Sequence, residues 1–424
     1  MVPHLVTALN GPINELEQRI LESTPVIERW FRLEWMEHTP PFYSSVDVRN
    51  AGFKLAPVDT CLFPGGWNNL SPEMLPLAVQ AAMAAIEKIC PEAKNLLLVP
   101  SAQTHNTFYL SNLSRLAQIF NLAGLNVRLG SLSADLKEPV QLDIPCGEPL
   151  TLEPLQRGKR RLGLKHFDPC TILLNNDLSA GVPGILEDLH EQYLLPPLHA
   201  GWPTRRHSTH FRLYEEVAKR FAKMLGMDHW LINPACVPCG ELDLSTAGGL
   251  AALQAHVDTV LTKTRRKYKE YGINEKAFAV IKRDDGLAGV GPWVVRDAKD
   301  VPAALAAVPA GGLSGPFFVQ EGVLTNERIN DAVAEPVVYM MDRYVVGGFY
   351  RVHADQADHQ GMSGPGASFL PLAFDQSNHL PQPGVRPGAS APNRFYMYGV
   401  IARLGMLAAS YELEATDPEA ETYD

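Results

Sequence analysis

The chain has 424 residues, 46% apolar and 20% charged, enough length for two or three globular domains with real cores. Its formal net charge of −10 argues against a general nucleic-acid binder, and no apolar run approaches the roughly 20 residues of a membrane-spanning helix. Six scattered cysteines and a start without a basic, then apolar, leader point to a reducing, cytoplasmic setting.

In chain order, Pro12 to Trp35 reads as an amphipathic helix, with Leu16, Ile20, Ile27, Trp30 and Phe31 near helical spacing. Pro40-Pro41 ends it. Tyr43 to Leu70 reads as one long polar loop around Phe63-Pro-Gly-Gly66, carrying Arg49, Asn50, Lys54, Asp59, Asn68 and Asn69. A loop of that length and composition points to function. Arg49 and Lys54 suit a substrate carboxylate, Asp59 an ammonium; a packed loop with surface charges is the alternative.

Glu73 to Cys90 and Thr107 to Ala123 read as helices, with strands at Asn95–Pro100 and Asn126–Gly130. Alternating helices and strands predict a parallel α/β layer, whose ligands bind beyond the carboxyl ends of the strands. His105 and Asn106 fall there, as do Asn175, Asn176, Asp177 and Ser179 after the next strand, which starts at Cys170. Leu132 to Arg161 reads as a β excursion, and Pro183 to Gln192 as a helix. The loop Pro196–His210 holds Arg205 and Arg206, suited to anions. Its histidines, His199, His207 and His210, lack a carboxylate at metal-site spacing. A helix over Phe211–Leu225 and a short strand over Trp230–Pro234 close this region. Cys236-Val-Pro-Cys239 lacks the second pair of a zinc site and reads as structural.

Ala247 to Tyr271 is one long helix pattern, ending in Lys263-Thr-Arg-Arg-Lys-Tyr-Lys269 and capped by Gly272. Then a strand ends in Lys282 and runs into Arg283-Asp-Asp-Gly-Leu-Ala-Gly-Val-Gly291, followed by Trp293-Val-Val. Glycines let backbone N–H groups approach phosphate oxygens, and the lysine adds a point charge. The loop is neither a Walker A nor a dinucleotide fingerprint, because no Gly-Lys-Ser/Thr follows and strand leads to strand. A helix over Asp297–Val308, a strand over Phe317–Gln320 and a hairpin turning at Asp342-Arg343 come next. His353 to Ala391 reads as a lid or loop, Arg394 to Leu413 as an apolar helix, and Glu412 onwards as an acidic tail.

This order resembles the ATP-grasp pattern. The whole chain resembles the proteobacterial glutamate–cysteine ligase family with an ATP-grasp C-terminal half. The resemblance rests on Ser45–Asp59, Leu62–Gly66, Leu173–Gly181, Pro197–Trp202 and Ala334–Val352. It implies an α/β fold: an N-terminal parallel α/β substrate-binding region over residues 1–235, then an ATP-grasp-like α+β nucleotide-binding region over 236–424, with a glycine-loop lobe at about 273–316 and a catalytic lobe at about 317–424. It also implies that ATP phosphorylates the γ-carboxylate of glutamate and that cysteine attacks the acyl phosphate. ATP and Mg²⁺ are the implied cofactors, and small molecules the implied partners; a homo-oligomer is left open.

By the same resemblance Arg351 is the catalytic residue. Lys263, Lys267, Lys282, Gly286, Gly289, Gly291, Gln320 and Glu321 bind the nucleotide. Arg49, Asn50, Lys54, Asp59, Asn176, Asp177 and Arg205 bind the amino acids, and Glu335 is the metal ligand. The glycine loop departs from the pattern, because Asp284 and Asp285 would repel a triphosphate unless Mg²⁺ or Arg283 compensates. A late Glu-x-Asn metal pair is also missing. A ligase for another amino-acid pair and a binding or regulatory relative are the alternatives.

Overall fold

A computed structural model describes residues 5–6, 12–144, 147–286, 290–306, 308–329, 331–353, 367–372, 394–418 and 420. The expected α/β class holds. The parallel layer has the strand order Tyr193–Leu195, Thr171–Asn175, Asn95–Pro100, Asn126–Ser131, Leu150–Pro154, with Val140–Leu142 added antiparallel at the edge. Leu96 to Val99 and Ile172 to Leu174 are buried throughout. That is why they read as continuous apolar runs: a parallel strand covered on both faces has no polar side. Asn106 caps the helix Thr107–Leu122, its side chain accepting from the N–H groups of Phe108 and Tyr109, so the residue placed beyond a strand end works as a helix cap.

A second, four-stranded antiparallel sheet has the order Cys236–Asp243, Ser314–Glu321, Ala279–Arg283, Trp293–Val295. The helix Ala247–Tyr271 packs along it. Thr246 caps that helix at its start and Gly272, at φ 65°, at its end.

The third sheet is antiparallel and has seven strands. Leu5–Val6, Glu327–Ile329, Ala332–Met341, Tyr344–His353 and Ser368–Pro371 follow in order, and Tyr43–Asn50 and Leu55–Cys61 extend it beside the later half of Ala332–Met341. It therefore draws strands from both sides of residue 235. The helix Arg394–Thr416 covers its outer face. Gly405 lies so close that an added Cβ would stand 3.3 Å from Thr60 Oγ1 and 3.4 Å from Val46; a larger side chain would push helix and sheet apart.

Several expectations are corrected. Tyr43 to Leu70 is not one loop, because its first two-thirds form two paired strands. Val46 and Val48 alternate with Asp47 and Arg49, the period-two pattern of a strand with one charged face, which the polar residues on either side outweighed in the sequence. Pro183 to Gln192 forms only the turn Gly184–Leu186, and Trp230–Pro234 is a turn at His229–Ile232 rather than a strand. The helix expected from Phe211 begins at His207. The helix over Asp297–Val308 is shorter than expected, a 3-10 turn at Ala298–Asp300 running into the helix Val301–Leu305. Cys236–Cys239, read as structural, does lie in an edge strand, with the sulfurs bonded to separate carbonyls. Glu412 is not part of a tail; it is buried within the last helix. Of the expected lid, the described part is chiefly the strand Ser368–Pro371; the rest lies outside the described residues.

Candidate active site

The inner face of the seven-stranded sheet carries a row of charges. The register places Glu335 opposite Arg351 and Asp47 opposite Asp59. Arg351 Nη1 donates to Asp47 Oδ2 at 2.8 Å and to Glu335 Oε1 at 2.9 Å. The other oxygen of Glu335 accepts from Arg49 Nε at 2.6 Å, and Arg49 Nη1 donates to the Val323 carbonyl at 3.0 Å. Two arginines and two carboxylates thus form one chain across three strands. Burial opposes the charge on Arg351, but Asp47 and Glu335 overcome it and raise its pKa; it stays a cation.

The four-stranded sheet presents Lys282 to this row. Its Nζ donates to the Val58 carbonyl at 2.6 Å and lies 5.8 Å from the Phe318 ring centroid. Burial lowers its pKa, and Arg49 adds to this, while Asp59, Cys236 and Asp47 oppose it. His207 completes the cluster. Its ring lies against Trp202 and Phe318, at 4.4 and 5.4 Å between centroids, and Nδ1 is 3.6 Å from Asp59 Oδ1. Burial lowers the His207 pKa, helped by Lys282, Arg205 and His210, so it is neutral at pH 7. Arg351 and Asp47 retain 15% and 17% side-chain exposure, and Asp59 43%, so a ligand can reach them.

Both loop acids are already engaged. Asp284 accepts from the Ser208 N–H at 2.7 Å and from its hydroxyl at 2.6 Å, closing the N-terminal turn of the helix His207–Leu225, where a carboxylate is favoured. Asp285 receives both Nε and Nη2 of Arg283, at 3.1 and 2.6 Å. Arg283 thus compensates Asp285, the condition the sequence set, whereas the partners of Asp284 are the neutral N–H and hydroxyl of Ser208. Gly286 is needed for closeness as well as for φ 64°, because an added Cβ would meet the Trp202 ring at 2.2 Å. Gly291 also has positive φ, and Gly289 lies outside the described residues.

The remaining expected residues spread over other sites. Lys54 Nζ donates to Glu321 Oε2 at 2.8 Å, both side chains being 1% exposed. Trp230 Nε1 and the Ala235 N–H complete the Glu321 shell. Gln320 is buried beside it. Asn50 donates to Glu327 at 3.1 Å. Arg205 is buried against Glu412, which also bonds His210 Nδ1; burial pushes Glu412 up, but Arg205 and His210 hold its carboxyl below the usual range. Asn176 and Asp177 accept from N–H groups two residues on, as turn formers do. Lys263 is exposed, and Lys267 pairs with Asp228 and Glu270. Asp47 and His207 were not singled out as site residues. The Asp47/Arg49 alternation was the available signal for the first; nothing local marks the second.

Among the described residues no three His, Cys, Asp or Glu side chains form a ready metal cage. Asp47 and Asp59, 17% and 43% exposed, nevertheless offer hard oxygen donors on one face, whereas Glu335, the expected metal ligand, is 2% exposed with both oxygens bonded to Arg49 and Arg351. Two such donors fit Mg²⁺, which usually takes only one or two carboxylates and fills its shell with phosphate and water.

A glutamate–cysteine ligase (GshA) family model matches residues 17–413. A crystal structure of a candidate gamma-glutamylcysteine synthetase from Methylobacillus flagellatus KT is 48% identical, covers 98% of this chain and 100% of its own, and superposes with a TM-score of 0.90. D-alanyl-alanine synthetase A from Vibrio cholerae (12% identity, 67% of this chain, 76% of its own) and a glutathione synthetase-like effector from Globodera pallida (11%, 80%, 77%) each reach a TM-score of only 0.35, too low to carry an argument. No curated protein matches the chain.

Proposed function

Because the chain belongs to the glutamate–cysteine ligase family, we propose that it joins glutamate to cysteine with ATP, forming γ-glutamylcysteine through a γ-glutamyl phosphate, the first step towards glutathione, in the cytoplasm. The observation that carries this reading is Arg351 held between Asp47 and Glu335 on the face that Lys282 overlooks. Activating a carboxylate with ATP needs cations placed around a transferring phosphoryl group more than covalent help. Arg351 would stabilise charge on that group and then on the tetrahedral adduct. Its two carboxylates fix the guanidinium beforehand, so little reorganisation is required.

Lys282, Gly286 and Gly291 would hold the phosphates, with the hinge backbone at Gln320 and Glu321 beside the base. Asp47 and Asp59 are the carboxylates that would hold Mg²⁺, which when bound neutralises phosphate charge, and Glu335 would serve by fixing Arg49 and Arg351 beside them. His207, neutral at pH 7, packs beside Asp59 and leaves that carboxylate as the charge that would meet an incoming ammonium. Asn176 and Asp177 remain the proposed amino-acid contacts, whereas Arg49 and Asn50, buried against Glu335 and Glu327, would position the face around them. Lys54 and Arg205 would act by holding the walls of the site.

The test is ADP release by the purified chain with ATP, Mg²⁺ and glutamate, with cysteine or other amines added in turn. Cysteine-dependent release with γ-glutamylcysteine identified by mass is expected. A faster reaction with another amine replaces the substrate assignment, and failure to bind ATP in the presence of Mg²⁺ overturns the ligase reading.

A further inference from the structure

Cys90 and Cys170 bring their sulfurs to 2.7 Å, not far beyond the ~2.05 Å of a covalent S–S bond. Both are only partly buried, so a small reagent reaches them. Their backbones are fixed. Cys90 ends the helix Leu75–Ile89, its N–H donating to the Ile86 carbonyl at 2.8 Å, and the Cys170 carbonyl accepts from the Tyr193 N–H at 2.8 Å, just before the strand Thr171–Asn175. Cys236 and Cys239, the pair the sequence spacing suggests, are instead bonded to the Pro234 and Val237 carbonyls. Burial and the Cys90 sulfur push the Cys170 thiol up to about 11, so it rests protonated.

We propose that Cys90 and Cys170 are a modification site that closes into a reversible disulfide by exchange with a low-molecular-weight disulfide. One cysteine, as thiolate, attacks a sulfur of the reagent; the reagent's S–S bond breaks and one thiolate leaves. The second cysteine gives up its proton and attacks the protein sulfur of the mixed disulfide, expelling the other reagent thiolate. The two cysteines are oxidised by two electrons, and the reagent is reduced to two thiols. The bridge would tie together residues 80 apart in sequence, which constrains the unfolded chain. It lies at the amino end of the strand Thr171–Asn175, opposite the end that leads to Asn176 and Asp177. It therefore staples the parallel layer without entering the candidate active site.

The native protein is treated with 2-hydroxyethyl disulfide, alkylated and mapped by mass spectrometry before and after dithiothreitol. The expected result is a peptide pair joined through Cys90 and Cys170, no retained adduct on either, reversal by dithiothreitol, a raised thermal midpoint and unchanged turnover. Cys90→Ser and Cys170→Ser should each trap one stable mixed adduct on the remaining thiol. The wild-type map stands without those variants. Stable adducts on both cysteines, a bridge between other cysteines or unreacted thiols would overturn the proposal.

Discussion

Two groups of buried charge stand side by side in this protein, and they differ in what remains exposed. On the inner face of the seven-stranded sheet, Arg351 pairs with Asp47 and Asp59 lies 3.6 Å from His207, and Arg351, Asp47 and Asp59 keep side-chain exposures of 15% to 43%, although Arg49 and Glu335 behind them keep only 7% and 2%. At Lys54–Glu321 and Arg205–Glu412 no side chain exceeds 4%, and the carboxylates take further donors from Trp230, Ala235 and His210. The residue types are the same, and several from both groups were expected to bind substrate. Exposure and saturation separate them. A charge whose partners are complete and dry holds elements together, whereas one that keeps an open side can transfer its interaction to a ligand.

The largest effect is expected at Lys54. Lys54→Met should cost about 3–5 kcal/mol, because it leaves Glu321 buried and unpaired, and Lys54→Met/Glu321→Leu should recover much of it. Denaturant midpoints measure this. A normal midpoint with a raised KM for glutamate would move Lys54 into the binding group. Arg351→Ala should lower kcat by about 100- to 1,000-fold, more than it changes the nucleotide Kd, as steady-state kinetics and calorimetry would read. Lys282→Ala should weaken ATP binding about tenfold, as loss of one hydrogen bond to a charged group does, with folding little changed.

Smaller effects sharpen the boundary. Ser208→Ala should lose about 1 kcal/mol through the weakened start of its helix and leave the ATP Kd unchanged; a changed Kd would show that Asp284 belongs to the phosphate site. The His207 and His210 pKa values are lowered from 6.5 by burial, so below 6.5 the unfolded chain binds more protons than the folded one. Their stabilising contribution is full above 6.5 and is lost as pH falls through the lowered folded values. Thermal midpoints should drop on that side, and His207→Gln should flatten the drop.

The sequence revealed much of this framework and less of the site. Leu96–Val99 and Ile172–Leu174 announce buried parallel strands because no polar residue interrupts them. Asp342-Arg343 announces the hairpin that sets Arg351 opposite Glu335. Tyr43–Cys61 did carry the alternation of a strand in Val46-Asp-Val-Arg49, but four residues of pattern were outweighed by the polar and turn-forming residues around them. Asp284 looked like an obstacle to phosphate because its partner, Ser208, lies 76 residues earlier. Glu412 looked like tail acid for the same reason, its partners Arg205 and His210 being some 200 residues away. Such long-range pairings leave no local signal.

The central claim is that the open charged face activates a carboxylate by phosphorylating it. Glutamate carrying ¹⁸O in its γ-carboxylate tests this directly, because the oxygen that attacks ATP leaves with phosphate when the amine displaces it. The account predicts one ¹⁸O in each phosphate released during cysteine-dependent turnover. Unlabelled phosphate, with the peptide product still forming, would contradict it.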